Sequence, residues 1–312
     1  MNPLSAIFGA GVAFRNTLYD RRIVKAQKLK RPVVSIGNIS AGGSGKTPFV
    51  ITLGELLKEQ GISFEVLSRG YGRSSAGTAI VDPSGTPAQY GDEPLLIARK
   101  LQVPVIVGTD RYQAGLLAEK TFSSKLHLLD DGFQHRQLHR DYDIVLLPAS
   151  DLRDTLLPVG RLREPPSALR RADAIVLPEP IEKFSAQGAI WQVRRVVELP
   201  DLGGRFLAFC GIARPQQFFR ALTGAGADVA KTLRFGDHHR YSQNDIDRLL
   251  REKSATGAEA FVTTEKDLIN LGTLAEQLQP LRAIQLRMEL ASPQSALAQL
   301  LEILEHRTGC RF

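Results

Sequence analysis

Over the first 29 positions apolar residues recur at three- and four-residue intervals: Leu4, Ile7, Phe8, Val12, Phe14, Leu18 and Ile23. The spacing predicts one apolar face of a helix between Pro3 and Leu29, weakened by Gly9 and Gly11. From residue 31 the pattern changes to short apolar runs between polar or glycine-rich segments. Strands are predicted at 31–38, at a run ending on Val66-Leu67-Ser68, and at 105–107, 126–129, 144–147 and 174–177, with helices at 49–57 and 95–101. Strands alternating with helices predict an α/β fold with a doubly wound, mainly parallel sheet. After Pro178 the chain turns polar, residues 190–199 read as extended, and a fresh α/β pattern starts at 206–210. Helices at 215–223 and 243–253 with strands at 229–233 and 260–263 make a second, smaller α/β domain. The predicted division is a helix and basic collar at 1–30, a core domain at 31–188 joined by the final helix at 291–312, and the second domain at 189–290. Its extended ends, 190–199 and 283–290, are expected to pair as a two-stranded hinge.

Charge sharpens the reading of the first segment. The 312 residues carry a net +7. Six of those charges lie within residues 1–31, where Arg15, Arg21, Arg22, Lys25, Lys28, Lys30 and Arg31 face one acid, Asp20. A body so nearly neutral lacks the broad basic surface of a nucleic-acid-binding protein. The helix either lies in a membrane interface, drawing on apolar burial and anionic lipid together, or packs on the protein's own core with a solvated basic tail. Two cysteines, Cys210 and Cys310, make no disulfide framework and lack metal-ligand spacing. No uncharged run reaches the ~20 apolar residues that span a bilayer. Nothing in the composition calls for an obligate protein partner.

The candidate chemistry lies at strand ends. Ser40-Ala41-Gly42-Gly43-Ser44-Gly45-Lys46-Thr47 follows the first core strand and opens a helix, the context of a phosphate-binding loop. Its glycines let backbone amides curl around an anion, Lys46 reaches the β- and γ-phosphates, and the Thr47 hydroxyl suits magnesium. Ser40 stands where the common pattern has glycine. The loop makes the fold P-loop NTPase-like and calls for a carboxylate at a neighbouring strand end to hold Mg2+. Asp130 is the first choice, with Asp131 and Glu93 as supporters. Arg69, directly before Gly70, and Tyr71, between Gly70 and Gly72, suit a cleft wall. Arg111 and Arg163 are candidate phosphate or sugar contacts, and Gln134 and His135 follow the acidic pair closely enough to line the same cleft.

Together with Gly91-Asp92-Glu93-Pro94, Asp130-Asp131-Gly132-Phe133-Gln134-His135, Leu157-Pro158-Val159-Gly160-Arg161-Leu162-Arg163-Glu164-Pro165, Gly211-Ile212-Ala213-Arg214-Pro215, Asp237-His238-His239 and Thr263-Thr264-Glu265-Lys266-Asp267, these motifs resemble, in order, those of the tetraacyldisaccharide 4'-kinases, the lipid A 4'-kinases of Gram-negative bacteria. The resemblance runs to about residue 270, and the serine at position 40 is also a feature of that family. It implies transfer of the γ-phosphoryl of ATP to the 4'-hydroxyl of a tetraacylated glucosamine disaccharide 1-phosphate, giving the bisphosphorylated lipid A precursor. It implies peripheral attachment to the cytosolic face of the inner membrane, with the N-terminal helix docking on lipid. Asp92 is then the base that takes the hydroxyl proton, partnered by His238 or His239 from the second domain across a cleft closed by domain motion. A membrane-associated partitioning ATPase is the main rival. Such proteins usually carry an extra lysine directly before the glycine pair, where Ala41 stands, and nothing in that class calls for the Asp-His-His element.

Overall fold

Six consecutive buried residues, Val33–Asn38, form the strand from which the rest of the sheet is built. The computed structural model describes residues 2–180, 184–198 and 204–312. In chain order the first part runs α1 (Pro3–Asp20), β1 (Val33–Asn38), α2 (Lys46–Glu59), β2 (Phe64–Ser68), β3 (Ala79–Ile80), α3 (Pro87–Tyr90), α4 (Asp92–Leu101), β4 (Val105–Val107), α5 (Arg111–Thr121), β5 (Leu126–Asp130), β6 (Tyr142–Leu146), β7 (Ala174–Pro178) and β8 (Ala189–Glu198). It continues with β9 (Arg205–Cys210), α6 (Pro215–Gly224), β10 (Asp228–Arg234), α7 (Gln243–Thr256), β11 (Ala260–Thr264), α8 (Glu265–Leu271), β12 (Leu281–Leu290) and α9 (Pro293–Thr308).

The described strands make one mixed, mostly parallel sheet in the order β10-β9-β11-β12-β8-β7-β6-β1-β5-β2-β4-β3. β1, flanked in parallel by β5 and β6, is buried on both faces, so it reads as a mainly apolar run, broken by the buried Ser35 and ending on the buried Asn38. Among the described strands only β8 with β12 and β3 with β4 pair antiparallel. The β8–β12 pairing runs from Gln285 opposite Glu198 to Leu290 opposite Val193. This pair carries the sheet from the strands of the core into the smaller α/β part, β9 to β11. Leu199, the last position of the extended segment expected at 190–199, lies outside the described residues.

The main core packs α2, α4 and α9 on one face of the sheet, through Phe49, Leu53, Leu57, Leu95, Leu101, Leu300 and Leu304. α9 thus returns to the first part of the chain. Its Gln299 accepts from Trp191 Nε1 at 3.1 Å, and its Arg307 pairs with Asp173 at 2.7 Å. The smaller part has its own cores around Phe209 and Phe261 and around Phe206 and Phe219.

α1 differs from its expected extent. It ends at Asp20, Arg22 takes φ 57°, and Ile23 lies beyond the helix, 66% exposed. The face turned to the protein is mainly small and polar: Ser5 Oγ donates to the Leu156 carbonyl at 2.8 Å, Asn16 Nδ2 to Glu164 Oε2 at 2.7 Å, and a Cβ on Gly9 would meet Leu156 at 2.8 Å. Leu4, Ile7 and Phe14 point outward, 60–70% exposed. No described helix is long and apolar enough to cross a membrane.

Candidate active site

Parallel strands bring their carboxyl ends to one edge, where ligand groups collect in open α/β sheets. There Ile36 of β1 stands in register with Asp130 of β5, and the loop 40–47 links β1 to α2. Gly42, Gly43 and Gly45 take φ of 71°, 67° and 92°, a left-handed backbone that turns successive amides into an anion nest. The loop's first residues are tied to the 161–163 segment: Ala41 N donates to the Arg161 carbonyl and Arg163 N to that of Ile39, both at 2.7 Å. This places Arg163 at the acidic pair.

Lys46 Nζ lies 3.2 Å from both Asn38 Oδ1 and Asp131 Oδ1. Asp131, at φ 51°, also takes two bonds from Arg163, at 3.1 and 2.9 Å. Burial works against ionisation there, but Lys46 and Arg163 outweigh it and hold the carboxyl at about 2. Asp130 is the opposite case. Burial first, then the charges of Glu93 and Asp131, push it up to about 7. Ser68 Oγ donates to its Oδ2 at 3.0 Å, while Oδ1 is buried with no hydrogen-bond partner among the described residues. Of the two, Asp130 therefore keeps an oxygen for a cation. No cluster of three or more His, Cys, Asp or Glu forms a metal cage among the described residues. The unpartnered Oδ1 of Asp130 fits magnesium, which usually takes one or two carboxylates and completes its shell with phosphates and water.

Asp92 opens α4, and the chain from the smaller part meets it. His238, at φ 56°, places Nδ1 at 3.0 and 2.9 Å from the two Asp92 oxygens. Asn270 Nδ2 donates to Oδ2 at 3.0 Å and Lys266 Nζ stands 3.8 Å away. Burial raises the Asp92 carboxyl, but these partners, His238 foremost, bring it down to about 2. The imidazole of His238 is disfavoured as a cation by burial and by Lys266, yet the Asp92 hydrogen bond and charge leave its pKa raised above 6.5. Lys266 Nζ also lies 3.2 Å from His238 Nε2, 3.4 Å from Glu93 and 3.3 Å from Asp237. The tilted Tyr71 ring sits 5.0 Å from that of His238.

A cleft of about 790 Å³ opens between these groups. Its walls include residues 41–47, Arg69, Tyr71, Glu93, both aspartates, Arg163 and His238. Asp92 lies behind His238, its side chain 4% exposed against 23% for the histidine. The remaining expected residues are placed elsewhere. His239 does not reach Asp92: its Nε2 is 3.1 Å from Asp245, and its ring stacks on Phe235 at 4.7 Å, so successive side chains part. Ser40 is fully buried and donates to Asp151 Oδ2 at 2.5 Å. Gln134 braces the β1 end, donating to the Asn38 carbonyl at 2.8 Å. Arg111 is buried, gives Nη1 to the Thr109 carbonyl at 2.8 Å and does not line the cleft. For His135, burial and then Arg111 lower the pKa to about 4.

Sequence reasoning assigned no role to Asn38, Asp151, Arg195, Arg214, Lys266 or Asn270. Asn38, in Gly37-Asn38, Lys266 and Arg214 stand inside motifs of the family resemblance, the one signal available. Asp151 and Arg195 carry no local pattern.

The family profile described as LpxK, tetraacyldisaccharide-1-P 4'-kinase, matches residues 1–305. A tetraacyldisaccharide 4'-kinase of Koribacter versatilis is 51% identical over 99% of this chain and 100% of that one. One from Aquifex aeolicus is 42% identical over 86% of this chain and 88% of that one. The fold is similar to a crystal structure described as the "apo" form of LpxK from Aquifex aeolicus in complex with ATP. That similarity has a TM-score of 0.81 at 37% identity and covers 97% of this chain and 98% of that one.

Proposed function

The chain belongs to the tetraacyldisaccharide-1-P 4'-kinase family, and from that premise we propose that it moves the γ-phosphoryl of ATP to the 4'-hydroxyl of a tetraacyldisaccharide 1-phosphate, with Asp92 and His238 taking the proton. The observation that carries the residue assignment is the 2.9–3.0 Å contact between a carboxylate of one α/β part and a cleft-lining imidazole of the other.

In the reaction the bond from the γ-phosphorus to its bridging oxygen breaks, and a new bond to the sugar oxygen forms. The hydroxyl proton passes to the enzyme. A carboxylate held at about 2 is a poor base alone, whereas His238, raised by that carboxylate, faces the cleft. The pair is therefore the proton acceptor, with Asp92 orienting Nδ1 and sharing the charge. The amides of 42–45 cradle the phosphates and Lys46 neutralises them. Arg163 holds Asp131 as the counter-charge of Lys46. Thr47 and the unpartnered oxygen of Asp130 are the groups that fit magnesium, Glu93 standing close by. Held there, magnesium would supply positive charge against the phosphates. Arg69 and Tyr71 line the acceptor side.

Leu4, Ile7 and Phe14 project outward beside the basic collar, the pairing that binds an anionic lipid surface. The helix is tied to the site, since Asn16 bonds Glu164, the neighbour of Arg163. The enzyme thus works as a peripheral protein on the cytosolic face of the inner membrane.

The test is transfer of labelled phosphate from ATP to purified tetraacyldisaccharide 1-phosphate in detergent micelles. Brisk ATP hydrolysis with no labelled lipid would favour the partitioning-type switch instead. In detergent-free buffer, Ile7→Glu with Phe14→Glu should abolish sedimentation with anionic vesicles and leave melting unchanged; retained sedimentation would refute the docking role.

A further inference from the structure

The glycines of the phosphate loop carry a load that anion binding does not explain. A Cβ built on Gly43 would lie 2.6 Å from Arg214 Cγ and 2.9 Å from its Nε, so the arginine lies directly across the loop. Arg214 comes from the turn between β9 and α6, on the smaller α/β part. Beside it, a Cβ on Gly42 would meet Ala213 at 3.1 Å. The guanidinium is oriented from its far end: Nη2 donates to Asp151 Oδ1 at 3.2 Å and Nη1 to Ser150 Oγ at 3.4 Å. Asp151 is fully buried, and its other oxygen accepts from Ser40, the first residue of the loop. Arg214 Nε is buried without a partner among the described residues. A buried, unpaired N–H over an anion nest is costly unless an anion arrives. A second guanidinium approaches from the hinge strand: Arg195 of β8 donates Nη2 to the Ser44 carbonyl at 3.1 Å, and its Nε is likewise unpartnered among the described residues.

We propose that Arg214 is a cation supplied in cis to the nucleotide phosphates, contacting them during transfer, with Asp151 as the residue that positions it. The inference rests on the kinase reading above. Lys46 and the amides of the loop act from the core side. Arg214 acts from the opposite wall, so the site is complete only when the two α/β parts meet over the loop. Charge that develops on the phosphate oxygens as the γ-phosphoryl departs is then met from both sides.

The test separates this role from a structural ion pair. Arg214→Ala should lower kcat for phosphate transfer by about 100-fold or more, with the KM for the lipid within about threefold. Arg214→Lys should not restore it, because a compact ammonium lacks the rigid fork that lets one face of the guanidinium hold Asp151 while Nε stays free for the phosphates. The deciding variant is Arg214→Met with Asp151→Asn, which removes both buried charges together. It should regain the melting temperature lost in Arg214→Met alone while kcat stays low. If the double variant recovers both stability and kcat, or if Arg214→Ala keeps kcat within about fivefold, Arg214 only neutralises Asp151 and the proposal falls. Loss of labelled transfer in the unmodified protein would instead refute the kinase reading itself.

Discussion

Asp92→Asn removes the charge of the carboxylate while keeping its shape. His238, Lys266 and Asn270, beside the Glu93 backbone N–H that donates to Oδ1 at 2.8 Å, hold its carboxyl at about 2 rather than 3.8. At about 1.4 kcal/mol per pH unit, that is about 2–3 kcal/mol of net stabilisation of the carboxylate over the cost of burial. Part of it is shared with His238, whose pKa is raised because the same negative charge faces its Nδ1. Asn supplies no such charge, so the imidazole becomes a weaker base. General-base assistance is worth about 10²–10⁴ in rate, which sets the expected fall in kcat. His238→Gln should cost a similar factor, and the double variant little more than the worse single, since both disable one unit. His238 accepts a proton only when neutral, so kcat/KM of the unmodified enzyme should rise with pH through an inflection above 6.5. In Asp92→Asn the residual activity should inflect at lower pH. The assay is labelled phosphate transfer at saturating magnesium from pH 5 to 9. A profile that is flat above about pH 4, the behaviour of a lone carboxylate base, or multiplicative effects in the double variant, would refute the pair.

Asp130, with its carboxyl near 7, holds a proton that a cation must displace. Magnesium binding measured by calorimetry should therefore be about tenfold weaker at pH 6 than at pH 8. An affinity independent of pH would contradict the assignment. Ser40→Gly, which restores the commoner loop residue, should destabilise by about 1–3 kcal/mol in urea unfolding because buried Asp151 loses its 2.5 Å donor. An unchanged midpoint would show that the bond contributes nothing. Gly37→Ala places a Cβ 2.5 Å from Phe133 Cβ and 2.9 Å from its backbone nitrogen. Phe133 is buried beneath the Arg171 guanidinium and cannot retreat, so a loss of about 1–3 kcal/mol is expected in the same assay, and wild-type stability would refute the packing argument.

Much of this protein could be read along the chain because its information is local. A phosphate loop is one continuous stretch whose glycines, lysine and threonine do their work within eight residues. Mainly apolar runs mark the buried parallel strands, since a strand covered on both faces exposes no side to water, and the polar residues within them, Ser35, Glu65 and His127, are themselves buried. The separation of charge, six of seven net positives behind one short helix, is likewise a property of order along the chain.

What the sequence left open depends on distance in space. Asp237-His238-His239 offered two equivalent histidines, and only backbone geometry separates them: φ of 56° at His238 turns its ring to Asp92, while His239 turns to Asp245 and Phe235. Asp130 and Asp131 are neighbours in sequence, yet one carboxyl rises to about 7 and the other falls to about 2. Lys46 and Arg163 reach one of them, and the interior encloses the other. Arg214 and Asp151 lie 63 residues apart and carry no shared pattern. Their meeting over Gly43 exists only because β8 and β12 join two α/β parts into one sheet. The sequence by itself determined the phosphate loop, the chemical groups and every described strand but the two-residue β3, because each is set by neighbours along the chain. The tertiary structure decided which groups share a proton and which charges face one another, because those energies fall off with distance through space.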